Sequence, residues 1–461
     1  MDREPVIQTI GALAIATPYR SRELRVRPAR RIDLVAHFSG AFDLSERQEV
    51  GHAARVAYLA HRVAEELGMG AEERASVLYV GLLHAAGTSP AIDGAPVELN
   101  AWVAERFGVG EAVREAVSAV LERWDGRGEP LGRAGTDIPL EALCVSAAHW
   151  ASEYSDHVDH PLRARANLQR ANGAELVPLV GPQVAEALYE VLRDDDTWLA
   201  LFSDDAAGMV ARLGVGEGKP SRRRVEEAVA AMGAVIDYSV REPGRAMRVS
   251  ALARAMAGQL GFSEGARDVI GLAGHLLDIG QLGVPRRVLD KPSILTVEEM
   301  ELMRRHPGLG ARLLQHISGF DEITEWVEQH HERPDGRGYP EMLGEDEMGL
   351  PARILAVADA YWALRAHRPY RPAHTDEEAQ AILRAGAERQ FDLEVVTVLP
   401  DALGAAADVL AENGALLEDP GELVLDLAAV RAAIDIPAIE LPSDAEDDDP
   451  GDDSGGDEAG D

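Results

Sequence analysis

His330-His331-Glu332-Arg333-Pro334-Asp335-Gly336-Arg337-Gly338-Tyr339-Pro340 is the stretch on which the reading of this chain turns. Two adjacent imidazoles run into a tight loop whose Gly336 and Gly338 supply backbone freedom that other residues lack. Such a loop fixes the geometry of whatever the histidines hold. A second version lies 210 residues upstream, where Asp125-Gly126-Arg127-Gly128-Glu129-Pro130 matches Asp335 to Pro340, and His149 falls on Asp359 in the same register.

A further register, 193 residues apart, runs through the earlier part of each copy. Gly51-His52-Ala53-Ala54-Arg55-Val56 matches Gly244-Arg245-Ala246-Met247-Arg248-Val249, and Val56, Leu59, Val63 and Leu67 map onto Val249, Leu252, Met256 and Leu260. Each set is one face of an amphipathic helix, and each helix is stopped by a glycine, Gly68 or Gly261. Leu83-His84-Ala85 then falls on Leu276-Leu277-Asp278. Two registers held over tens of residues indicate a duplicated domain, with about 17 more residues between the blocks of the second copy. Helical periodicity throughout predicts an all-α fold of two tandem bundles. We divide the chain into an N-terminal segment (1–30), a first domain (31–213), a linker (214–224), a second domain (225–435) and a disordered acidic tail (436–461). The Gly218-Lys219 pair in the linker is not a phosphate loop: Leu213 stands where that loop needs its first glycine, and Pro220 follows the lysine.

Composition narrows the function classes. Of 461 residues, 80 are acidic and 45 basic, a formal charge of −35. That field repels nucleic-acid polymers and anionic membranes. Ten Asp/Glu between Pro442 and Asp461 leave −25 on the remainder, so the folded part is acidic as well. One cysteine, Cys144, excludes an internal disulfide and a cysteine-based zinc site. There is no long apolar run and no basic leader at the N-terminus, so a cytoplasmic location without a membrane span is expected.

In the second copy, polar residues that need a reason stand at Asp278, at His306 before Pro307-Gly308, at His330-His331, and at Asp359 within Ile354-Leu355-Ala356-Val357-Ala358. A carboxylate in so apolar a helix is costly unless paired or bound to a metal. Imidazoles and carboxylates converging from several helices suit Fe, Mn or Zn.

The loop, together with Asp278-Ile279-Gly280, Val288-Leu289-Asp290-Lys291-Pro292, His306-Pro307-Gly308 and Arg353 to Asp359, resembles the signature of the HD-GYP family. These are all-helical, metal-dependent phosphohydrolases that cleave cyclic dinucleotides such as cyclic di-GMP. From about residue 31 to 400 the chain resembles members with an eroded first HD unit before the HD-GYP unit. The resemblance implies a metal set of Asp278, His306, His330 and His331, assisted by Asp359, holding one ion in the second domain. Three positions depart from the family. Arg245 replaces a ligand histidine, Leu277 replaces the namesake histidine, and Gln281 replaces the lysine that faces substrate phosphate. Asp278, Arg245 and Gln281 thus occupy the catalytic positions. Arg245 either supplies a second positive charge or pairs with Asp278 or Asp359 and closes the site, and closure is the reading we favour. Asp335, Gly336, Gly338 and Tyr339 form the substrate-side loop, with Arg365 and Arg368 as candidates for substrate phosphates. In the first copy His52, His84 and His149 keep imidazoles while Ala85 replaces the aspartate. They either hold an ion or persist as hydrogen-bonded histidines of a decayed pocket, the plainer reading.

The expected role is regulatory: binding a metal, a cyclic dinucleotide or other phosphate ester, or a signalling protein partner, with hydrolysis weak or absent. An active phosphodiesterase working with one metal and Arg245 is the alternative, and a ligand-free interaction module is the third.

Overall fold

A computed structural model of the protein describes residues 30–412, apart from 46–47, 87–96, 155–157, 159, 171–172, 215–219 and 368–371. The N-terminal segment, most of the linker, Arg368 and the acidic tail therefore lie outside the described residues. The described chain is helical, with two isolated β-bridges and no strand.

The first half contains α1 (Arg31–Ser45), α2 (His52–Glu66), α3 (Ala71–Leu83), α4 (Val97–Arg106), α5 (Glu111–Val117), α6 (Leu140–Ser152), α7 (Pro161–Arg170), α8 (Leu176–Val180), α9 (Pro182–Val191), α10 (Asp195–Leu201) and α11 (Ala206–Leu213). The second contains α12 (Arg222–Ser239), α13 (Arg245–Gln259), α14 (Glu264–Leu276), α15 (Arg286–Leu289), α16 (Val297–Met303), α17 (His306–Leu314), α18 (Asp321–Gln329), α19 (Leu350–Arg365), α20 (Asp376–Ala385) and α21 (Leu393–Glu412). The repeat read from sequence is a repeat of helices: α2 and α3 correspond to α13 and α14 in the 193 register, and α4, α5 and α6 to α17, α18 and α19 in the 210 register. The extra residues of the second half make α15 and α16.

Glycine pairs explain why each helix crossing is so close. A Cβ on Gly81 would lie 2.5 Å from Ala57 Cα, and one on Gly274 would lie 2.8 Å from Ser250 Cα, so α3 and α14 press directly on the backbones of α2 and α13 at equivalent points. The α2 and α13 N-termini begin after left-handed glycines, Gly51 (φ 97°) and Gly244 (φ 74°). A buried aspartate ties down each start. Asp43 accepts from the Gly51 and Ala53 N–H groups at 2.8 and 2.9 Å, and Asp237 accepts from the Ala246 N–H at 3.0 Å. Burial pushes the Asp43 carboxyl up to about 6 and that of Asp237 up to about 7, against the pull of those donors.

The loop is built identically in both halves. Glu122 accepts from the backbone N–H groups of Leu131, Gly132 and Arg133, and Glu332 from those of Glu341, Met342 and Leu343. Arg123 pairs with Asp125 as Arg333 does with Asp335. Gly128 and Gly338 leave no room for a side chain, since a Cβ would fall 2.4 Å from the backbone of Arg123 or Glu332.

A continuous apolar core runs through both halves of the described residues. Phe38 of α1 is fully buried in it, with its ring 6.0 Å from Phe107 and 6.4 Å from Phe320 of the other half. No helix among the described residues is long and apolar enough to cross a membrane.

Candidate metal centre

Four helix ends and one helix interior bring the second-half residues together. Arg245 is the first residue of α13, Asp278 follows α14, His306 opens α17, His330 caps α18 with His331 next, and Asp359 lies inside α19. The turn after Asp278 is pressed onto α17 so closely that a Cβ on Gly280 would overlap the His306 carbonyl oxygen. This contact carries Asp278 to His306.

The three histidines each offer a donor atom within 4.8 Å of the other two. Their ring orientation is set from behind: His306 Nδ1 meets the Met303 carbonyl at 2.8 Å, and His330 Nδ1 meets the Val327 carbonyl at 2.6 Å. With Nδ1 donating to the carbonyl, the lone pair is on Nε2. The two Nε2 atoms face each other at 3.2 Å, and His306 Nε2 is 3.5 Å from Asp278 Oδ1. Burial lowers the His306 pKa to about 3, with His330 adding to the effect. Burial also lowers His330, and takes His331 well below the ordinary imidazole range with help from His330 and His306. Neutral imidazoles aimed at one point, beside a carboxylate, are a donor set that fits a divalent transition metal.

Arg245 fills the other side of the pocket. Its guanidinium pairs with Asp278 Oδ2, with Asp359 Oδ1 at 2.5 Å and with Glu242 at 3.3 Å, in a buried cluster. The sequence allowed a pair with either aspartate; the structure makes both, and adds Glu242. Gln281 donates to Asp278 Oδ1. Leu277 is buried in the core, and His275 is half-buried against Gly233 of α12.

The loop residues fall into two groups. Tyr339 lies at the site, its ring 4.8 Å from that of His331 and under the Arg304 guanidinium at 5.6 Å. Asp335 instead braces the loop through Arg333 and the Arg337 N–H, and Gly336 takes its turn at φ 68°. Arg365 donates to the His374 carbonyl at 2.6 Å. Glu242, Arg304 and the two helix-start aspartates escaped the sequence reading. Asp43 and Asp237 were visible there as acids in otherwise apolar helix ends, one residue out of the 193 register.

In the first half His52, His84 and His149 also converge, each with a donor atom within 4.8 Å of the others.

Comparison with known proteins gives this arrangement a family. Residues 231–395 match the family model described as HD domain. Over 313 residues the chain is 29% identical to the 3'3'-cGAMP-specific phosphodiesterase 3 of Vibrio cholerae, spanning 67% of each protein. It is 39% identical over 181 residues to the cyclic di-GMP phosphodiesterase response regulator RpfG of Xanthomonas campestris, covering 38% of this chain and 47% of that protein. The second half of the chain carries an HD domain, and the relatives it matches are HD-GYP cyclic-dinucleotide phosphodiesterases. The crystal structure of a cyclic GMP-AMP phosphodiesterase of V. cholerae, V-cGAP3, shares the fold of this chain, with a TM-score of 0.62 at 23% identity over 82% of this chain and 98% of that one. The chain spans two thirds of the first relative and less than half of the second. HD phosphohydrolases are metal-dependent, and the histidine clusters described above can bind an ion.

Proposed function

We propose that this protein holds one Fe, Mn or Zn ion through His306, His330 and His331 with Asp278 in reach, binds a cyclic dinucleotide there, and hydrolyses it weakly or not at all. Its role is then regulatory. The observation that carries this reading is the Arg245 guanidinium paired with Asp278 and Asp359 together. Those carboxylates are the groups that would draw a second cation into the pocket, and the arginine is already paired with both. When bound, the ion supplies a Lewis-acid contact to a phosphate oxygen. The chain's own groups do the rest. His306, His330 and His331 bind as neutral donors, Asp278 balances charge, and Tyr339 walls the pocket beside His331. Gln281, bonded to Asp278, carries no positive charge to offer a phosphate. The relatives named for 3'3'-cGAMP and cyclic di-GMP make those two dinucleotides the ligands to try first.

The test is metal-loaded full-length chain with each dinucleotide, measuring binding by calorimetry and turnover by chromatography. Saturable binding, lost in H330Q/H331Q, with turnover no higher than that of D278A, is expected. Turnover that disappears in D278A would instead establish an active phosphodiesterase. Absence of bound Fe, Mn or Zn, with an unchanged melting temperature in H330A/H331A, would make the domain a structural module.

A further inference from the structure

We propose that the first half carries a metal site of its own, in which His52, His84 and His149 bind one zinc-class divalent ion through three imidazoles. This site is independent of the second-half centre.

The three rings stand at centroid separations of 5.8, 5.3 and 5.1 Å, with interplanar angles of 47°, 90° and 65°. None of them is stacked on another, and one nitrogen from each falls within a 4.8 Å cluster. Edge-to-face contact is a geometry ring packing also favours, but three nitrogen donors gathered at one point are what a tetrahedral ion requires of its ligands. Orientation is built in from outside the cluster. His84 Nδ1 is held by the Gly81 carbonyl at 2.6 Å, which leaves Nε2 as the ligand atom. His52 is the first residue of α2, and Asp43 pins that start by its bonds to the Gly51 and Ala53 N–H groups on either side. His149 comes from α6, and α3 and α6 both pack on α2.

The second half shows that the fold does not need imidazoles here. The residues equivalent to His52, His84 and His149 are Arg245, Leu277 and Asp359, and their helices pack in the same way. A reason other than packing therefore keeps three histidines in the first half. Their chemistry also differs from the second centre. Ala85 removes the carboxylate that Asp278 supplies, so the donor set is all nitrogen, which suits Zn(II) or Co(II) and leaves a fourth position open. His52 and His84 are buried, while His149 is only half-buried.

The experiment isolates this site by disabling the other. Chelator-stripped full-length H330Q/H331Q, checked for native helical circular dichroism, is titrated with Co(II). Uptake of one ion per chain is expected, with the intense visible absorption of tetrahedral cobalt, and both should disappear when the half-buried His149 is also changed to Gln. Wild type and single H149Q give the same answer without the double variant: H149Q should hold one ion fewer. A folded H330Q/H331Q chain that takes up no cobalt overturns the proposal. So does an ion count that H149Q leaves unchanged. Either result leaves the reading of the second centre untouched.

Discussion

The two pockets descend from one plan and have diverged in opposite directions. The first keeps imidazoles where the second has Arg245 and Leu277; the second keeps carboxylates, Asp278 and Asp359, where the first has Ala85 and His149. The scaffolds around them scarcely differ: the carboxylate brace of the loop, the Arg-Asp pair within it and the glycine crossing recur residue for residue. Framework and site have therefore been shaped separately. The framework is held by backbone accounting, which few substitutions satisfy, whereas the pocket only has to give its buried polar groups partners. An arginine paired with two aspartates and a cluster of uncharged imidazoles are two such arrangements, the first of them still net negative.

The largest expected effect breaks the comparison at Arg245. Arg245→Ala leaves Asp278 and Asp359 buried without their cation and should cost about 3–5 kcal/mol, read by urea denaturation at pH 7. A loss below about 1 kcal/mol would show that the ion pair does not hold the pocket closed. Next come the loop braces. Glu332→Gln and Glu122→Gln each replace a charged acceptor of three backbone N–H groups, and each should lose roughly 2 kcal/mol. The informative quantity is their similarity, because a loop kept only for catalysis would be soft in the first half.

Acid sharpens the contrast further. Folded His306 titrates near 3, against about 6.5 for an ordinary histidine. Between those values the unfolded chain binds a proton that folded His306 refuses. Its contribution is therefore complete above pH 6.5 and falls away as pH drops towards 3. In metal-free protein His306→Gln should flatten the stability profile in that window by at most about 1.4 kcal/mol per pH unit, with no change in slope above pH 7. The smallest effect is at the rim. Arg304→Ala removes the cation over Tyr339 and should cost about 0.5–1 kcal/mol, while Arg133, near the first-half loop, has no aromatic partner there to lose because Glu129 stands in place of the tyrosine.

Much of this was legible in the sequence. Periodicity and the two registers gave the helices and the duplication, since both are local patterns repeated at fixed spacing. His306, His330, His331 and Asp278 could be gathered because each sits at a helix end marked by glycine, proline or a paired ligand. Three features escaped for physical reasons. Glu242 meets Arg245 only through the turn before α13. Asp43 and Asp237 act on backbone N–H groups eight to ten residues away, a partner that residue identity does not reveal. That the first-half histidines gather at one point is a property of the fold, since nothing in their spacing shows it. The split role of the loop was also hidden: Asp335 braces it, and only Tyr339 reaches the histidines.

The central claim is that Arg245 takes the place of a second cation in the second-half pocket. An anomalous-scattering map from crystals grown with excess Mn(II) or Zn(II) tests it most directly. The account predicts a single peak within the second-half pocket, among His306, His330 and His331, with the Arg245 guanidinium still joining Asp278 to Asp359. Two peaks in that pocket, with Arg245 swung out and both aspartates on metal, would contradict it.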